Sequence, residues 1–131
     1  QACVKKNASS VTSHRDKTSP GDLENILDDL LKEYEESGDA SVRTLAAENE
    51  IEVAAEIIRQ GRAYHKKWCA RVFRDYLPGS RDITYKTRLM SFVAVTDVYV
   101  WKLLRRDSGL SYAHTRQVMK NMLECLINQN S

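Results

Sequence analysis

At 131 residues and 15.0 kDa the chain has room for one compact domain, which excludes most multidomain enzymes. With 42% hydrophobic and 29% charged residues it can build a core, while 5 Gly and 2 Pro are too few turn formers for a sandwich or barrel. The net charge of +2 conceals a segregation, with three bases against twelve acids in residues 21–60 and thirteen bases against five acids in residues 61–131.

Such a distribution makes the molecule electrically polar. The basic residues are not clustered with stacking aromatics, so they read as solvated helix faces rather than a nucleic-acid surface. Cys3, Cys69 and Cys125 are odd in number and widely spaced, which points to reduced thiols in a cytoplasmic protein. The longest apolar run, residues 91–104, is interrupted by Asp97 and Lys102 and falls short of a membrane span.

Residues 1–20 are polar and aperiodic and read as a flexible lead or the frayed end of a connecting helix. They lack the apolar centre of a signal peptide and begin with Gln, so a fragment or trimmed chain is expected. Asp22 then caps a helix over 22–36, in which Leu23, Ile26, Leu27, Leu30, Leu31 and Tyr34 recur at helical spacing. Ser37-Gly38-Asp39 is predicted to end it, with Gly38 in the left-handed position, before a short second helix to about Ala47. A third helix is predicted over 50–76, ahead of Pro78-Gly79.

The inner stripe of that helix contains two unusual residues. Gly61 costs about 1 kcal/mol relative to Ala in mid-helix, and His65 stands where Leu is expected. Both point to close approach of something, whether another helix or a ligand. A fourth helix over 82–106 is apolar nearly all round, and Ser111 caps a fifth over 112–128 whose apolar positions also cover more than one face. These five helices cannot cover two such surfaces internally, so an intermolecular interface is expected, most simply a symmetric dimer.

Phosphate loops, Cys-x-x-Cys, His-Glu-x-x-His and Gly-x-Ser-x-Gly are absent. His65 and Cys69 have the i, i+4 spacing of two metal ligands, with His114 and Cys125 as distant further candidates, but isolated ligand types do not make a site. No catalytic residue, metal or cofactor is expected. Asp97, flanked by Val93, Val95, Val98, Val100 and Trp101, reads as a buried charge in need of a partner such as Arg43, His65, Tyr99 or a ligand.

The segments 21–51, 59–78 and 93–115 together resemble the C-terminal regulatory domain of TetR family transcriptional regulators, over about Gly21 to Ile127. The most specific parts are Gly61-Arg62-Ala63-Tyr64-His65-Lys66-Lys67-Trp68 and Thr96-Asp97-Val98-Tyr99-Val100-Trp101-Lys102-Leu103-Leu104-Arg105-Arg106-Asp107. The resemblance implies an all-α bundle of about five helices over residues 21–131, with the last two forming a dimeric four-helix bundle. It also implies an internal cavity for a small, often apolar effector. The family's N-terminal helix-turn-helix is not in this chain, so contact with DNA would run only through that missing domain.

Helix faces then nominate Tyr34, Gly61, His65, Trp68, Phe92, Asp97 and Trp101 for the pocket, and Val95, Tyr99, Leu103, Val118, Met122 and Cys125 for the dimer surface. An aromatic wall with one acid and one histidine suits a medium-sized apolar molecule bearing a donor or cationic group. Two competing readings are a helical interaction module without ligand or DNA role, and a small enzyme using His65 and Asp97 as an acid/base pair.

Overall fold

The computed structural model describes residues 15–129, which are all-helical with no strand among them. Helix α1 spans Leu23–Ala46, α2 Glu52–Val72, α3 Tyr85–Val95, α4 Val98–Lys102 and α5 Tyr112–Asn128. A 3-10 turn, Arg74–Tyr76, follows α2, and a π turn, Leu103–Asp107, extends α4. Helix α1 is the hub, packing on α2, α4 and α5, while α3 packs on α2 and α5.

Asp22 caps α1 as its sequence position predicts, accepting from Asn25 N at 3.1 Å, and Ser111 caps α5 by accepting from His114 N at 3.1 Å. Gly21, just before the first cap, holds φ at +78°, a conformation open to glycine at no steric cost. The core forms from Ile26, Leu27, Leu30 and Leu31 of α1, Trp68 and Val72 of α2, Phe92 of α3, Trp101 of α4 and Met119 and Leu123 of α5.

Two predicted boundaries are corrected. Residues 37–39 do not end the first helix, because α1 continues unbroken through Gly38 to Ala46. Gly38 is buried under Trp101, and a Cβ there would lie 2.7 Å from the ring. Asp39 beside it pairs with Arg106 at 2.9 Å, so packing against α4 overrides the local turn signal.

The predicted fourth helix is instead broken at Thr96-Asp97. Asp97 adopts extended backbone and its carboxylate accepts from Tyr99 N at 2.8 Å, capping α4. A short acidic side chain thus offers the backbone an acceptor outside the helix, and the chain turns there.

The charge segregation is resolved within the fold. Acids of α1 face bases of the C-terminal half: Glu35 with Arg105, Asp39 with Arg106, Glu24 with Arg116 and Lys120, and Asp28 with Arg116. Each such pair at the surface adds little by itself, but their common direction fixes α1 against α4 and α5.

The lead expected over 1–20 falls partly on residues 1–14, outside the described residues. Its remainder is strapped down: Trp68 Nε1 and Arg71 Nη2 donate to the Arg15 carbonyl at 3.0 and 2.8 Å, Arg71 Nη1 donates to the Thr18 carbonyl at 2.8 Å, and Thr18 Oγ1 donates to Asp29 at 2.6 Å.

Candidate functional site

Four elements converge on His65. The ring is buried, lies nearly parallel to that of Trp68 at 5.9 Å, and its Nδ1 accepts a hydrogen bond from Arg15 Nη2. Because a guanidinium only donates, Nδ1 carries no proton and Nε2 does. Nε2–H then donates to Thr96 Oγ1 at 3.0 Å, with the Val93 carbonyl also in reach at 3.3 Å, and the Thr96 hydroxyl donates to the Phe92 carbonyl at 2.6 Å. Tyr34 donates to the Thr96 carbonyl at 2.6 Å, joining α1 to the same turn.

On the other side of Arg15, Nη1 meets Glu33 Oε2 at 2.6 Å, in a pair whose side chains are only 3% and 18% exposed. Its Cζ stands 4.2 Å from the centre of the Trp68 ring and 5.2 Å from that of Tyr64, within cation–π range. Arg15 Nε is buried and has no hydrogen-bond partner among the described residues.

Burial, reinforced by the Arg15 charge, pushes the His65 imidazole down to about 3, so it is neutral at pH 7. Burial raises the Glu33 carboxyl, against the downward pull of Arg15. Burial likewise pushes the Cys69 thiol up to about 11, leaving it protonated and unreactive.

Of the predicted pocket residues, Tyr34, His65, Trp68, Phe92 and Trp101 are all buried in the interior. They are packed by protein: Phe92 stacks on Phe73 at 4.4 Å, and Trp101 lies beside Tyr34 at 6.1 Å and on Gly38. Gly61 is corrected, since it sits on the exposed side of α2 and a Cβ there would meet nothing within 4 Å. Asp97 is corrected as well: it is half-buried at a helix cap, satisfied by the backbone of Tyr99. His65 and Asp97 are therefore engaged with different partners.

The metal-like spacing resolves into a contact of 3.7 Å between Cys69 Sγ and His65 Nε2, while His114 and Cys125 are exposed on α5. No group of three or more His, Cys, Asp or Glu among the described residues could hold a metal ion. No helix among them is long and apolar enough to cross a membrane.

Of the residues nominated for a dimer surface, Tyr99 and Leu103 are 49% and 54% exposed, Cys125 is exposed, and Val95, Val118 and Met122 are half-buried. Sequence reasoning missed Arg15 and Thr96. Arg15 lies in an aperiodic polar stretch with no signal of burial, while Thr96 had one usable clue, its place before a capping Asp. The surface of the described residues carries shallow depressions. One of about 220 Å³ lies among Asp16, Tyr64, Lys67, Trp68 and Arg71, and one of about 410 Å³ is bordered by exposed Ile51, Val53 and Ile57.

No family model matches the chain, and neither a curated protein nor a solved structure does.

Proposed function

We propose that the chain is the effector-binding and dimerisation domain of a TetR-type transcriptional repressor acting in the cytoplasm, and not an enzyme. In this reading α4 with its π turn and α5 pair with their counterparts in a second copy as a four-helix bundle. The observation that carries it is the exposure of Tyr99 and Leu103, one turn apart, around a buried Trp101. The sequence resemblance places a dimer seam on the same helices. Large apolar side chains left in water side by side mark a surface that another protein covers.

The effector belongs at the His65 cluster, where α1, α2 and the α3–α4 turn are joined by few, directional contacts. A ligand with different affinity for two arrangements of these helices shifts the population between them, and no other ligand does. The arrangement is passed to a DNA-binding domain joined on the N-terminal side, which engages half-sites about one DNA turn apart.

Light scattering after size exclusion, over a dilution series, tests the dimer. The expected mass is about 30 kDa, twice that of the 15.0 kDa chain, and Leu103→Glu is expected to move it to monomer at micromolar protein. A native chain that stays monomeric at high concentration overturns the regulatory reading and leaves a helical module that docks on a different protein.

A further inference from the structure

Arg15 occupies its surroundings as a bound ligand would. Two aromatic faces, Trp68 and Tyr64, flank the guanidinium carbon at 4.2 and 5.2 Å. A carboxylate, Glu33, accepts from one terminal nitrogen at 2.6 Å, and the unprotonated Nδ1 of His65 accepts from the other. Aromatic faces with an anion and an oriented acceptor are the elements by which proteins select organic cations over sodium, whose hydration they cannot replace. The arginine is not a perfect occupant, because its Nε is buried with no hydrogen-bond partner among the described residues. Among the described residues the cage addresses two nitrogens of a planar cation and offers no acceptor to a third.

From this geometry we infer that Glu33, Tyr64, His65 and Trp68 form a binding site for amidinium and N-alkylguanidinium cations, which Arg15 fills as an internal plug. An amidinium presents the two terminal nitrogens and puts carbon where the cage has no acceptor. A surface depression of about 220 Å³ shares Tyr64 and Trp68 with the cage, and Asp16, Lys67 and Arg71 complete its lining. Lys67 and Arg71 slow a cation's approach without changing what the cage accepts.

Displacing Arg15 also loosens the segment it belongs to, since the Arg15 carbonyl holds Trp68 and Arg71. That this movement reaches a DNA-binding domain rests on the regulatory reading above; the cage itself does not.

The test is chemical rescue. Arg15→Ala removes the plug and leaves Glu33 buried without its cation, and its melting temperature is expected to fall by roughly 10 °C. Acetamidinium or methylguanidinium is expected to restore most of that loss, saturating at roughly millimolar concentration, as suits so small a ligand. Sodium chloride at equal ionic strength is expected to restore little, and Glu33→Gln in the same background to abolish the rescue.

Should Arg15→Ala not fold, the unmodified chain decides. The indole N–H of Trp68, which donates to the Arg15 carbonyl, is expected to shift saturably with acetamidinium in NMR, at a higher concentration because the tethered arginine competes. Rescue no better than that by sodium chloride, or in the second experiment an indole signal that does not move, overturns the site. A rescued monomer would keep the cage and sink the dimeric regulator, whereas a stable dimer without rescue would do the opposite.

Discussion

Around His65 the strap, α1, α2 and the end of α3 are joined by a guanidinium, a carboxylate, an imidazole and a hydroxyl linked in a chain of hydrogen bonds. Around Trp101, α4 lies on α1 mainly by shape: the ring is fully buried and seats on Gly38, with its Nε1 donating to Glu35 at 2.8 Å and the Arg106 guanidinium over its face at 4.8 Å. The first junction depends on protonation and on no member being lost, because removing one partner leaves another buried and unsatisfied. The second depends on volume, since close-packed interiors respond to a methyl group more or less. The fold thus carries a chemically sensitive joint and a mechanically sensitive one.

Acid separates them most strongly. Unfolded, His65 takes a proton near 6.5, and folded near 3, so between those values the unfolded chain binds the extra proton. The stability tied to a neutral His65 is therefore whole above about 6.5 and declines as pH falls toward 3, by on the order of 5 kcal/mol. The raised Glu33 carboxyl trims this at the acid end, because the folded chain takes that proton first. Urea unfolding at closely spaced pH, compared with His65→Gln, checks it: equal slopes in the two proteins would remove His65 from the account.

Truncating the apolar joint is expected to have a comparable effect with little change between pH 7 and pH 5, because Glu35, which Trp101 contacts, is held below the usual carboxylate range. Trp101→Ala leaves a cavity between α1 and α4 and should cost roughly 4 kcal/mol in the same assay, equally at pH 7 and pH 5. A loss confined to acid would mean that the two junctions are coupled and that the contrast between them is false.

What could be read from the chain follows the same division. The caps Asp22 and Ser111 are local chemistry, an acceptor three residues ahead of a backbone N–H, and both were legible. The inner face of α2 was legible at His65 and Trp68 because burial has a period, whereas Gly61, placed on the same stripe, is exposed. Gly38 and Gly61 were assigned the wrong way round, since what a glycine does depends on whether another element lies on it, and Trp101 is 63 positions beyond Gly38 in the chain. Asp97 was legible as needing a partner but not as a cap, because the apolar pattern runs through the turn on both sides. Arg15 could not be found at all: a buried charge with distant partners leaves no mark on its own neighbourhood.

The two glycines give the smaller effects. Gly38→Ala sets a methyl 2.7 to 3.0 Å from three carbons of a fully buried ring that Glu35 also holds, so neither side can yield cheaply. Its net cost should be about 2 kcal/mol despite alanine's better helix propensity. Gly61 lies in mid-helix with helical backbone and open space around its Cα, so Gly61→Ala should act only by restricting the unfolded chain and raise stability by about 1 kcal/mol. Thermal or urea unfolding of the pair gives opposite signs if packing governs α1 and propensity governs the outer face of α2. Two changes of the same sign would mean that Trp101 does not bear on Gly38, and the apolar joint would lose the contact that sets it apart from the polar one.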